Sequence, residues 1–317
     1  MENACYAEAD ATGADMAILT IRHITTYHYK QPVSFGEHRM MLRPRESHDQ
    51  RLLEATLEIS PKPTHLCWST DLFDNQVAVA RFAGRAATLS FDSTVRVDHR
   101  AASLDESGIE DFARTFPFNY RTQDQRDLAP YIARHCPDSG QQVDHWMLGF
   151  LRNCGTSDTR ALLVSLTETI RKSFRHRVRH EQGVQEPHRT LEIGSGSCRD
   201  LAMFMMEAVR SLGMATRFVS GYLHVRDDDD VDISGGNTHA WIQVYLPGPG
   251  WVDFDPASVI IGNRDLVRVA VVRDPSQASP LYGSWIGFPS DFLEMTVAVS
   301  VKAAEPELNR RVALANR

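Results

Sequence analysis

Three residue types in one order could do chemistry in this chain: a cysteine, then a histidine, then an aspartate. Cys198 lies in Gly196-Ser197-Cys198-Arg199-Asp200, at the opening of an amphipathic stretch. The aligned N–H groups of a helix N-terminus favour an anion, so a thiol placed there ionises more readily than a free one. Its own backbone N–H could donate to an oxyanion. Such a thiolate is a nucleophile or a metal ligand, and the bland reading is a buried structural cysteine. Thr238-His239-Ala240-Trp241 supplies an imidazole at the start of a strand-like stretch, and Trp251-Val252-Asp253-Phe254-Asp255-Pro256 supplies two carboxylates at the next. Cys, His and Asp are the parts of an activated-thiol acyl transferase or hydrolase. A zinc site on Cys198 and His239 would need further soft ligands, and no spacing offers them.

The strands must bring these parts together. Ala240, Ile242, Val244 and Leu246 form an apolar stripe, so His239 points the other way with Trp241, Gln243 and Tyr245. That is an exposed position, as a general base within reach of a thiol requires. Val252 and Phe254 share one face of the next strand and Asp253 and Asp255 the other. Either aspartate could orient the imidazole. If Pro247-Gly248-Pro249-Gly250 were all loop, the even-numbered residues of the apolar stripe would face the aspartates, on the wrong side. With one residue fewer, 241 pairs with 255, and His239 and Asp255 become diagonal neighbours. The chemistry therefore predicts an odd-length loop or a bulge. Asp255 precedes Pro256 and is held extended, whereas Asp253 reads as a solvated strand residue.

The supporting elements follow from periodicity. Leu201, Phe204, Met205, Ala208, Val209 and Leu212 predict a helix over 198–212, closed by Gly213. Further helices are expected near 124–136, 141–153 and 158–174, the last capped by Ser157, and strands near 216–225, 239–246 and 251–255. Residues 16–100 alternate apolar and polar over 18–29, 52–59 and 87–97, with Pro32, Pro44, Pro61 and Pro63 as breaks. The expected fold class is α+β: an antiparallel β-sandwich domain over 16–100, then a catalytic domain over 101–301, helices first and an antiparallel sheet after. Residues 1–15 read as a disordered leader and 302–317 as a polar tail.

Four ordered motifs carry a resemblance: the cysteine, histidine and aspartate segments above and Arg217-Phe218-Val219-Ser220-Gly221-Tyr222. Together with Gly183-Val184-Gln185-Glu186-Pro187 and Thr190-Leu191, they resemble bacterial transglutaminase-like proteins, from about residue 17 to 301. The resemblance implies a papain-like core with Cys198 as nucleophile, His239 as base and Asp255 as the orienting carboxylate. It departs at Phe174-Arg175-His176, where relatives often end an aromatic pair in Tyr. Tyr222 or Trp241 would be a second oxyanion donor, and Trp241 and Trp251 could wall the site.

Composition narrows the function. The 317 residues are 42% hydrophobic and 24% charged, enough for two cored domains. A net charge of −7 argues against a broad nucleic-acid surface. No run reaches the roughly 18 apolar residues of a membrane span. Residues 1–15 lack the regions of a signal peptide. Five cysteines without a CxxC pair fit a reducing cytoplasm better than a disulfide framework. No cofactor or metal is expected; the acidic run at 227–230 and 232 lacks the pattern of an EF-hand, and the basic cluster at 175–180 reads as a solvated helix end. The leading expectation is a cysteine-dependent hydrolase of peptide or protein amides, open to homo-oligomerisation. Acyl transfer to an amine and a non-catalytic binding module are the alternatives.

Overall fold

The computed structural model describes residues 16–101, 108–136, 138, 140–179, 181, 183–225 and 238–304. The expected leader, most of the polar tail and the acidic run lie outside the described residues.

The N-terminal region is built on one long strand, β1 (Met16–Met40), with β2 (Gln50–Ser60), β3 (His65–Thr70), β4 (Gln76–Arg81) and β5 (Arg85–Arg100). Leu19, Ile21, His23 and Thr25 alternate inward along β1. Pro32 does not end the strand as expected. The register with β5 shifts between His28 and Val33, so the missing amide falls where the ladder is already interrupted. Beyond that shift β1 turns over its own first half. Phe91, opposite Thr25, has its ring 5.6 Å from that of His38. The sandwich is thus one antiparallel sheet, ordered β2-β5-β1-β4-β3 with two further strands on β1, whose ends face each other.

The catalytic region follows: α1 (Thr122–Ile132), α2 (Gln142–Cys154), α3 (Thr159–Ser173), β6 (Arg175–His176), α4 (Pro187–Ile193), β7 (Ser195–Gly196) and α5 (Cys198–Ser211). Asp158, not Ser157, caps α3, accepting from the Ala161 N–H at 2.8 Å. Then come β8 (Thr216–Leu223), β9 (His239–Leu246), β10 (Gly250–Asp255), β11 (Ile260–Ile261) and β12 (Leu266–Val272), an antiparallel sheet ordered β11-β10-β9-β8-β12. α5 lies on β8 and β9, with α2, α3 and α4 also against it. Every residue from Asp200 to Arg210 is buried, so this helix is the centre of the core.

The last two strands go elsewhere. The catalytic region was expected to run to residue 301, but β13 (Leu281–Ile286) and β14 (Phe292–Ala303) both pair with β1. Alternation shows that a segment is a strand with one covered face; it does not show which sheet covers it. The two regions also meet side by side. Leu19, Ile21, Val95 and Val97 cluster with Tyr222 and Val267 of the catalytic sheet. No helix among the described residues is long and apolar enough to cross a membrane.

Candidate active site

The nucleophile side is set by a capping box. Ser197 is the N-cap of α5, and the Asp200 carboxylate accepts from the Ser197 N–H at 2.8 Å and from its hydroxyl at 2.9 Å. Cys198 is thereby fixed as the first helical residue. Gly196 serves this packing: a Cβ there would lie 2.7 Å from the Cβ of Asp200. Gly196 thus makes room for the Asp200 side chain. That carboxylate is fully buried and is met by Arg179 Nε at 2.7 Å and the Gln185 N–H at 2.7 Å.

The base side is set by the β9–β10 hairpin. Its loop is Pro247-Gly248-Pro249, and Trp251 pairs with Tyr245, Asp253 with Gln243 and Phe254 with Ile242. This is the odd-length register that the chemistry requires. His239 Nε2 lies 2.7 Å from Asp255 Oδ2, and Asp255 Oδ1 accepts from the Ala257 N–H at 2.8 Å. His239 was expected to be exposed; it and Asp255 are buried. Because Nε2 is committed to the carboxylate, Nδ1 is the nitrogen left for the thiol.

Electrostatics polarise the trio. Burial alone would raise the Cys198 thiol. Hydrogen bonds with the imidazoles of His176 and His239, and the charges of His239 and Arg199, instead bring it down to about 6. Burial alone would lower His239, but the Asp255 charge and hydrogen bond, with the thiolate, raise it to about 10. Asp255 is held below the usual carboxylate range by His239, against its own burial. The stable form near neutrality is a thiolate–imidazolium pair. Among the described residues, no group of three or more His, Cys, Asp or Glu side chains could hold a metal ion.

Two family models match the chain. Residues 19–98 match the bacterial transglutaminase-like N-terminal region, and residues 150–256 match the transglutaminase-like superfamily. Residues 150–256 thus carry a core of the transglutaminase-like superfamily, and residues 19–98 the N-terminal region of bacterial transglutaminase-like proteins. An uncharacterized protein of Mycobacterium tuberculosis H37Rv is 28% identical over 281 residues, covering 83% of this chain and 86% of that one. One from Mycobacterium leprae is 32% identical over 122 residues, 38% of this chain and 42% of its own length. The crystal structure of a candidate cysteine protease from Cytophaga hutchinsonii shares the fold, with a TM-score of 0.66, 17% identity and 92% of both chains covered.

Around the trio, the transglutaminase-like core differs from expectation in four places. Asp253 is not solvated: it is buried, accepts from the Trp241 indole N–H at 2.6 Å and meets Arg268 Nη1 at 3.0 Å. Trp241 therefore spends its N–H on Asp253 rather than on an oxyanion, while its ring lies alongside that of His239, 6.0 Å between centroids and 26° apart. Tyr222 is turned to the β-domain, where its hydroxyl lies 3.1 Å from His23 Nδ1, so it is not an oxyanion donor either. Trp251 sits among Tyr131, Tyr245 and Arg217 and does not wall the thiol.

Two further side chains join the candidate site with little trace in the sequence. His176 reaches the nucleophile because β6 runs parallel to β7 and pairs His176 with Gly196. Its only signal was the departure at Phe174-Arg175-His176. Arg179, read as part of a solvated cluster, is the counter-ion of Asp200, with its side chain only 11% exposed. The spacing Ser197-x-x-Asp200 was the available clue to that hub.

Proposed function

We propose that this protein hydrolyses peptide or protein amides through a thioester on Cys198. The observation that carries the reading is the Cys198–His239–Asp255 array on a transglutaminase-like core, polarised toward the ion pair. The thiolate sulfur attacks the amide carbonyl carbon, and the carbonyl oxygen takes the negative charge. The Cys198 N–H, at the start of α5, and the His176 imidazole are the donors on this side of the site. As the C–N bond breaks, the His239 imidazolium gives its proton to the leaving amine. Water then attacks the thioester, its proton passes to His239, and the acid departs with the thiol restored. Asp255 keeps the imidazole oriented and stabilises its charged form.

The test pairs two assays on wild type and Cys198→Ala. One follows ammonia or peptide release from a casein or peptide library, the other incorporation of a fluorescent amine. Cys198-dependent release without incorporation is the expected result. Cys198-dependent incorporation would instead make the protein a transamidase, and loss of neither signal in Cys198→Ala would remove the thiol from the chemistry. Substrate-free, the alkylation rate of Cys198 by iodoacetamide is expected to rise through about pH 6, where an ordinary thiol would rise near 9.

A further inference from the structure

The two aspartates of β10 divide the aromatic pair of β9 between them. Asp255 takes His239, and Asp253 takes Trp241. A single bond from Nε2 to Asp255 lets an imidazole pivot about that axis, and the neighbouring indole limits the swing. Trp241 is itself immobile. It is fully buried against Val219, Leu266 and Val271, and Gly221 leaves room for its ring, which a Cβ there would approach to 2.7 Å. Its N–H completes the fixation on Asp253.

Asp253 in turn depends on the other domain. Its partner Arg268 is buried, and the segment 47–50 of the β-domain grips it at side chain and backbone. Arg268 Nη2 donates to Ser47 Oγ at 3.1 Å and to Asp49. The Gln50 amide accepts from the Arg268 N–H at 2.9 Å and donates to its carbonyl at 2.8 Å. Asn263 also donates to Asp49. Docking alone would not call for this. Apolar contacts already join the domains nearby, and burying an Asp–Arg–Asp cluster is rarely better for stability than apolar packing of the same volume.

We propose that Asp253 is a positioning residue for His239, acting through the Trp241 indole, and that Asp49 of the β-domain holds Asp253 through Arg268. The β-domain is then a working part of the catalytic base. This rests on the thiol–imidazole reading above. The groups facing His239 are the Cys198 thiol from α5, Asp255 from β10 and Trp241 from its own strand.

The experiment uses the full chain and needs no substrate. The second-order rate of Cys198 with iodoacetamide is measured against pH for wild type, Trp241→Phe, Asp253→Asn and Asp49→Asn, with the thermal midpoint of each. Trp241→Phe keeps a ring and removes the N–H. It and Asp253→Asn are expected to slow alkylation at pH 7 on the order of ten- to a hundredfold and to move the acid limb upward, as a misplaced base should. Asp49→Asn, in the other domain, is expected to shift both in the same direction by less. Rates and pH profiles that match wild type in the folded variants, whatever their midpoints, would overturn the proposal. Should Asp253→Asn fail to fold, Trp241→Phe and Asp49→Asn decide. Failure of the underlying functional reading would show separately, in a wild-type Cys198 that alkylates no faster than after denaturation.

Discussion

The two sides of the candidate site are each organised by a buried carboxylate, and they are built differently. On the nucleophile side Asp200 gathers Ser197, Arg179 and the Gln185 backbone, all within 21 residues of it. On the base side Asp253 gathers Trp241 and Arg268, and Arg268 reaches Asp49, 219 residues away. Each side has a glycine that makes room: Gly196 for Asp200 and Gly221 for Trp241. The Cys198 thiol is thus placed by local chain geometry, while the His239 imidazole is placed by an assembly of strands that spans both domains. A thiol needs only a helix start to be aimed. An imidazole that must hold a proton between two partners needs its ring fixed on more than one side.

The strongest way to break the contrast is Asp200→Ala. It removes the Asp200 half of the α5 capping box and takes the carboxylate from the Arg179 guanidinium, whose side chain is only 11% exposed and keeps Glu181 at 3.5 Å and the Gly183 carbonyl at 3.1 Å. Loss of one partner from a buried pair is expected to lower stability by about 3–5 kcal/mol, read by urea unfolding. Next come the two glycines. Gly196→Ala and Gly221→Ala are each expected to lower stability by about 1–3 kcal/mol through overpacking. They should separate in unfolding and labelling measured together: Gly196→Ala displaces the thiol, whereas a Cβ on Gly221 meets the Val267 carbonyl first and the Trp241 ring second, straining the pairing of β8 with β12 and moving the indole, a movement that the pH profile of Cys198 reads.

A smaller effect sharpens the interdomain link. Burial alone would raise Asp49, but the Arg268 charge and hydrogen bonds hold it at about 2, against 3.8 for a free carboxyl. The depressed value means that this stabilisation is fully present above about pH 4 and is lost as pH falls through about 2. It amounts to about 2 kcal/mol. Between those limits wild type should lose stability more steeply than Asp49→Asn, and parallel curves would remove Asp49 from the linkage. Least affected should be Lys172→Ala, which breaks a surface pair with Glu168 at 3.0 Å. A change within about 0.5 kcal/mol is expected there, with Cys198 labelling as in wild type.

The same contrast explains what the sequence discloses. The helix of Cys198, the strands bearing His239 and Asp255, and the odd loop between them were legible because each depends on spacing within a few residues. Asp253 was misjudged because alternation gives the face of a residue and not what covers that face. Here the cover is Arg268 and a distant segment of the β-domain. His176 escaped for a related reason: a two-residue parallel bridge leaves no periodic trace. The partner of β13 and β14 was likewise invisible, since their pattern suits any apolar face.

That return of the chain has a consequence for how the protein is made. β1 leaves the ribosome before β6–β12, and the strands that flank one of its edges, β13 and β14, leave after them. Until the whole catalytic region has been synthesised, 25 residues of strand carry an unfilled ladder along much of their length. The nascent molecule therefore passes through a stage in which β1 offers an adhesive edge to other chains. Its yield in a cell should respond to translation speed and chaperone supply more than its finished stability would suggest.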